Sequence, residues 1–191
     1  MILKGGKISL RDWEVNDLPT YTYWKTGHKK WMELDAPYFH TVEKSKEELK
    51  DLIDKLKQKI ETKDLPSPRR QLIITNKNNE MLGMVSWYWQ SIETHWLSIG
   101  LVIYDAENWG KGIGYEALKL WIDYLFEANK NLVRMDLRTW SGNIGMMKLA
   151  DKLGFKLEAR FRNARIVNGK YYDSIGMGML KNEWQLQTQR Y

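Results

Sequence analysis

Between Ser98 and Phe155 the chain runs strand, glycine-rich turn, helix, strand, helix, and that order leaves few folds open. The stretch from about His95 to Tyr104 reads as a strand. Lys111 to Ala128 is helical, with Ile113, Ala117, Leu120, Trp121, Tyr124 and Leu125 spaced for burial on one face. Leu132 to Thr139 alternates apolar and polar as a second strand, and Asn143 to Leu153 forms another helix, closed by Gly154. Two strands joined through a helix require a parallel pair with a crossover.

Hairpins flank this unit. Gln71–Thr75 and Met81–Trp89 are joined by the polar turn Asn76–Asn79, and Phe155–Val167 returns as Tyr171–Leu180 around Asn168-Gly169. Both need antiparallel pairing. The expected fold is therefore α+β: a mixed, mostly antiparallel sheet with a central parallel pair and helices on both faces. Ahead of it, Lys7–Asp12 alternates as a short strand. Asn16-Asp17 opens a helix to about Gly27, with Leu18, Tyr21 and Trp24 on one side. Lys29–His40 is irregular and aromatic. Val42–Thr62 reads as a charged amphipathic helix with one stripe of Leu49, Leu52, Ile53, Leu56 and Ile60. No repeat or boundary divides the 191 residues, so one domain is expected.

Chemistry concentrates in Ile103-Tyr104-Asp105-Ala106-Glu107-Asn108-Trp109-Gly110-Lys111-Gly112-Ile113-Gly114-Tyr115-Glu116-Ala117. Three alternating glycines lead from a strand into a helix. Glycine lets backbone approach a ligand closely. A helix start leaves N–H groups unpaired, with positive potential behind them. A phosphate or pyrophosphate is the natural guest, and Lys111 adds charge. The spacing is neither that of the nucleotide-hydrolase phosphate loop nor that of the dinucleotide fingerprint.

Composition narrows the classes. No cysteine is present, so disulfides, thiolate metal sites and cysteine nucleophiles are excluded. His28, His40 and His95 lack ligand spacing, and no metal is expected. No run of about 18 apolar residues exists to span a membrane, and a cytoplasmic protein is the simplest expectation. The net charge of +6 is interspersed with acids. With no recognition motif, that pattern speaks against nucleic acid and fits a phosphate-rich small ligand equally with plain solubility.

The run Trp109-Gly110-Lys111-Gly112-Ile113-Gly114 resembles the coenzyme A pyrophosphate loop of the GNAT acetyltransferases, Arg/Gln-x-x-Gly-x-Gly/Ala, with Trp109 in place of the usual Arg or Gln. The downstream segment Asn143-Ile144-Gly145-Met146 through Leu153-Gly154-Phe155 resembles the Asn-x-x-Ser…Leu-Gly-Phe helix of the RimJ/RimL-like branch. Leu10-Arg11-Asp12, Asp17-Leu18 and the Gly169–Asp173 turn resemble that branch's opening and closing segments. The likeness covers most of the chain and is weakest over Thr26 to Pro68.

The resemblance implies a GNAT-like sheet and transfer of acetyl from acetyl-coenzyme A to a primary amine, on a protein N-terminus or a small molecule. It implies direct attack in a ternary complex, and a possible homodimer. A non-catalytic coenzyme-binding sensor is the alternative. It places the cofactor against the backbone of Leu101, Val102 and Ile103, against Trp109, Gly110, Lys111, Gly112, Ile113 and Gly114, and against Asn143. Asn143 equally suits a helix N-cap. Where relatives carry a glutamate base this chain has Ser98, and the branch's helix serine is Met146.

Catalysis then rests mainly on positioning. Ser98, Glu33 and Tyr104 are candidates for proton handling, and Trp31, Glu33 and Asp35 for the acceptor. Each has a plainer reading, as a packed tyrosine, a solvated acid or a core aromatic. His95 is a further candidate base, with a structural role the simpler reading. Trp24, Trp31, Tyr38 and Phe39 are expected to wall an acceptor cleft, where open aromatic faces would draw a cationic amine.

Overall fold

A computed structural model describes residues 1–39 and 45–188. It contains the strands β1 (Ile2–Lys4), β2 (Ser9–Arg11), β3 (Gln71–Thr75), β4 (Met81–Ser91), β5 (Trp96–Ile103), β6 (Arg134–Trp140), β7 (Lys156–Val167) and β8 (Lys170–Leu180). Its helices are α1 (Leu18–Lys25), α2 (Lys46–Glu61), α3 (Ile113–Ala128), α4 (Ile144–Lys152) and α5 (Lys181–Thr188). One eight-stranded sheet runs β1-β2-β3-β4-β5-β6-β8-β7. All neighbours are antiparallel except β5 and β6. The mixed sheet expected from the strand order is the one observed.

Period-two alternation assigns the faces. Leu10, Leu72, Ile74, Val85, Trp87, Leu97, Ile99, Leu137 and Met177 point to one side, where Ala117, Leu118, Trp121, Ile122 and Leu125 of α3 and Ala150 of α4 meet them. This is the larger core, and each fully buried aliphatic contributes about 1.5–3 kcal/mol. The indole N–H of Trp121 is satisfied by the carbonyl of Ser86 at 3.1 Å. On the other side Trp13, Trp31, Ile73, Met81 and Tyr104 form a second, mostly aromatic core under α1, α2 and the 3-10 turn Lys30–Glu33.

Several devices hold these pieces. Arg11 grips Asp17 with two N–H···O bonds at 2.7 and 2.8 Å, both groups buried, and Asp17 also accepts from the N–H of Glu14 at 2.8 Å. That fork fixes where α1 leaves the sheet, so Asp17 serves Arg11 and makes no side-chain cap on the helix. The helix α2 begins at Ser45 with a reciprocal Ser45–Glu48 capping box, a start signal later than Val42. Val42 and His40 lie outside the described residues. The β7–β8 turn places Asn168 and Gly169 at φ 49 and 73, as a two-residue hairpin demands. Beyond the expectation, β1 adds an edge strand, and Lys181 to Thr188 forms α5, whose Trp184 packs into the larger core.

Candidate active site

The parallel ladder between β5 and β6 is short. It pairs Trp96 with Arg134, Leu97 with Met135 and Ser98 with Asp136, and then stops. Both strands continue, β5 to Ile103 against β4 and β6 to Trp140 against β8. The sheet therefore splays open. Tyr104 N–H donates to the carbonyl of Leu82 at 3.0 Å, which sets the β4–β5 parity. Even-numbered residues of β5 bond to β4, so Val102 is directed at Met84. The N–H and C=O of Leu101 and the N–H of Ile103 face the gap without a ladder partner. The carbonyl of Ile103 accepts from the indole N–H of Trp109 at 2.9 Å, tying the glycine loop back onto the strand.

A cavity of about 640 Å³ follows the gap from one face of the sheet to the other. On the helix side Trp109, Gly110, Gly112 and Gly114 line it, with Asn143, Lys148 and Lys152. Gly112 holds φ at +84° as the residue preceding α3, a conformation that costs side-chain-bearing residues roughly 1–3 kcal/mol. It provides no side-chain cap, so the first-turn N–H groups of Ile113, Gly114 and Tyr115 have no helical acceptors. A Cβ on Gly114 would sit 3.1 Å from Leu101 and from Leu149, so glycine is what lets α3 close against β5 and α4. Lys7 Nζ donates to the Lys111 carbonyl at 3.1 Å and steadies the loop from β2's approach.

This half fits a coenzyme with a pyrophosphate and an amide-bearing arm. It presents an uncapped helix start, nearby lysines and an unpaired strand edge to hydrogen-bond the arm. Ile113's side chain belongs to the larger core and Lys111's is exposed, and neither lines the cavity.

On the opposite side the cavity is lined by Lys25, Trp31, Leu34, Asp35, Tyr38 and Arg138, with Ser86 and Met84 in the floor. Among the described lining residues Asp35 is the one carboxylate. It is open to the cavity yet crowded on its protein side, and that burial pushes its carboxyl above the usual range, with Lys25 opposing. Asn143 connects the halves. Its Oδ1 caps α4 by accepting from Met146 N–H at 3.1 Å, and its Nδ2 donates to the Leu34 carbonyl at 3.2 Å. Trp140 Nε1 donates to the same carbonyl at 3.2 Å. The residue before Asp35 is thus pinned from β6 and from α4.

The remaining candidates fall elsewhere. Glu33 is exposed, 3.9 Å from His28, and does not line the cavity. Tyr104 is 1% exposed, stacked on Trp24 and edge-on to Trp31, with its hydroxyl buried and without a partner. Burial holds its phenol well above the ordinary tyrosine range. Ser98 is 1% exposed beneath the acceptor face, where its hydroxyl bonds Asp136 and accepts from Gln90 at 3.0 Å. Trp31 is 5% exposed and mainly a core residue, although one edge reaches the cavity. His95 lies in the β4–β5 turn at φ 50, outside the lining.

Lys25, Arg138, Lys148 and Lys152 were not singled out by sequence reasoning. Lys148 and Lys152 carried a signal, a four-residue spacing on the helix after Asn143. Arg138 carried a weaker one, the alternation Arg134-Asp136-Arg138 on one strand face.

The comparisons agree with this geometry. Residues 7–156 match the acetyltransferase (GNAT) domain model. A probable N-acetyltransferase of Bacillus subtilis, YjcK, is 27% identical over 94% of this chain and 97% of its own. In structure, a ribosomal-protein-S5-alanine acetyltransferase from Vibrio fischeri aligns with a TM-score of 0.72 at 22% identity, over 96% of this chain and 98% of that one. A spermidine N-acetyltransferase from Vibrio cholerae, in complex with coenzyme A and spermine, aligns at 0.71 and 20% identity, over 93% and 98%. The chain belongs to the GNAT acetyltransferase family, whose general reaction is acetyl transfer from acetyl-coenzyme A to an amine.

Proposed function

We propose that this protein is an acetyl-coenzyme A-dependent N-acetyltransferase of the RimJ/RimL-like kind, acting on a primary amine by direct attack in a ternary complex. The observation that carries the reading is the cavity that crosses the sheet where β5 and β6 part. It has a glycine-built helix start at one end and a carboxylate at the other. The Trp109–Gly114 loop and the Asn143 helix support the branch.

Acetyl-coenzyme A, when bound, supplies the acetyl group as a thioester. The helix start at Gly112 and the cations Lys148 and Lys152 would hold its phosphates. The unpaired N–H groups of Leu101 and Ile103 are fixed donors of the kind that stabilise charge developing on a carbonyl oxygen. Asp35 draws the incoming ammonium and accepts its proton, because an amine must be neutral to attack. Its carboxyl, pushed upward by burial, is a stronger base than an ordinary carboxylate. Leu34, held by Trp140 and Asn143, keeps Asp35 in place. Tyr104 and Ser98 act through packing and the buried Asp136 contact. The exposed β7 residues Leu157, Phe161 and Ile166 would support pairing of two copies. Among the described residues no helix is long and apolar enough to cross a membrane.

Amine-dependent thiol release from acetyl-coenzyme A tests the reading, with Gly112→Glu as control. Release is expected with a primary amine and lost in the variant, whose backbone strain and blocked loop weaken coenzyme binding by on the order of a hundredfold. Tight coenzyme binding without release from any amine would point instead to a sensor.

A further inference from the structure

The charges around the acceptor end are uneven. Asp35 is its one described acid, and the cations Lys25 and Arg138 line the same cavity. Lys25 sits with Nζ 4.5 Å from the Trp31 ring and close enough to Asp35 to oppose the upward shift that burial gives its carboxyl. Arg138 lines the cavity, and its single carboxylate contact, Asp136 Oδ2 at 3.4 Å, is longer than the about 2.7–2.9 Å of a charge-assisted bond. Arg165, from β7, lies 4.5 Å from the ring of Tyr38, with its Nε buried and without a partner.

Each described aromatic wall already carries one cation, Lys25 at Trp31 and Arg165 at Tyr38. A polyamine would satisfy Asp35 with one nitrogen and bring its others toward Lys25 and Arg138. An acceptor with an anionic group near its amine would meet charge complements at both ends.

We infer that the acceptor is an amino-carboxylate: a primary amine held at Asp35, with a carboxylate a few atoms away held at Arg138. The inference rests on the acetyltransferase reading above and sharpens its substrate class. The carboxylate is either the α-carboxylate of a free amino acid or the side chain of an acidic first residue on a peptide. Both present the same chemistry to Arg138.

Matched acceptors test it on the full-length protein. Thiol release from acetyl-coenzyme A is measured with free α-amino acids, their amides, their decarboxylated monoamines, dipeptides with an acidic or a neutral first residue, and spermidine. The carboxylate-bearing member of each pair is expected to lead in kcat/KM by about tenfold or more, the scale of one charge-assisted hydrogen bond, with spermidine behind. Arg138→Gln should shrink the acid-over-amide ratio toward one.

Amides, monoamines or spermidine performing as well as the acids would overturn the inference and leave the acetyltransferase reading standing. An unchanged ratio in Arg138→Gln would overturn the assignment of Arg138. No release with any amine would overturn the activity itself. A lead for the free amino acids or for the acidic-first dipeptides identifies the source of the carboxylate, and either meets the inference.

Discussion

The two ends of the cavity are built by different means. The end proposed for the coenzyme is made of backbone: a splayed strand edge at Leu101 and Ile103, a helix start at Gly112, and glycines where side chains would intrude. The acceptor end is made of side chains, Lys25, Asp35 and Arg138, delivered by α1, an irregular turn and β6. Backbone geometry serves any acyl donor with the same arm and phosphates. Side chains can be exchanged one at a time without unmaking the fold, so the acceptor end is where this chain is free to differ from its relatives.

Substitutions can break that contrast. The largest effect at the acceptor end is expected from Asp35→Asn, which should lower kcat by about a hundredfold or more while leaving coenzyme affinity unchanged. The pH profile carries the same claim. A base must be deprotonated, and burial raises the carboxyl of Asp35, so the wild-type rate should fall with decreasing pH at a point above the ordinary aspartate range. Asp35→Asn should flatten that acid limb. A full-strength Asp35→Asn enzyme would move the base elsewhere.

Tyr104→Phe sharpens the contrast from the other direction. It removes a buried hydroxyl with no partner, so stability should rise, by up to about 1–3 kcal/mol, with kcat unchanged. The pH dependence has a fixed sign. A phenol raised in the folded state keeps its proton, so the native fold is favoured below the unfolded phenol's pKa of about 10 and loses stability as pH rises beyond it. Alkaline melting curves should show that loss in the wild type and less of it in Tyr104→Phe. A collapse of kcat would instead make Tyr104 a catalytic acid.

The same contrast explains what could be read from the chain. The strand–glycine–helix unit is contiguous, so the strand, the loop and the helix start were legible as elements, and Trp109, Gly110, Gly112 and Gly114 line the cavity while Lys111 and Ile113 do not. Asn143 was legible as the N-cap of α4, whereas its bond to the Leu34 carbonyl was not, because the two residues lie far apart in sequence. The acceptor end was legible in part: Trp31, Asp35 and Tyr38 stood out in the aromatic segment, and Lys25 and Arg138 did not. Lys25, Asp35 and Arg138 lie far apart in sequence, and the segment bearing Asp35 has no helical or strand period. Asp35 and Glu33 looked alike as loop acids. What separates them is place: Asp35 lines the cavity beside the tethered Leu34, while Glu33 lies outside it. Ser98 occupied the family position for a base, but burial beside Asp136 could not be seen without the partner strand.

The central claim is that the coenzyme lies in the opening between β5 and β6 and leaves its reactive end facing Asp35. A crystal structure with coenzyme A bound tests it most directly. The account predicts the pyrophosphate against the N–H groups of Ile113 to Tyr115, the arm along Leu101 and Ile103, and the thiol toward the Asp35 side of the sheet. Coenzyme bound elsewhere, or bound with the β5–β6 opening empty, would contradict it.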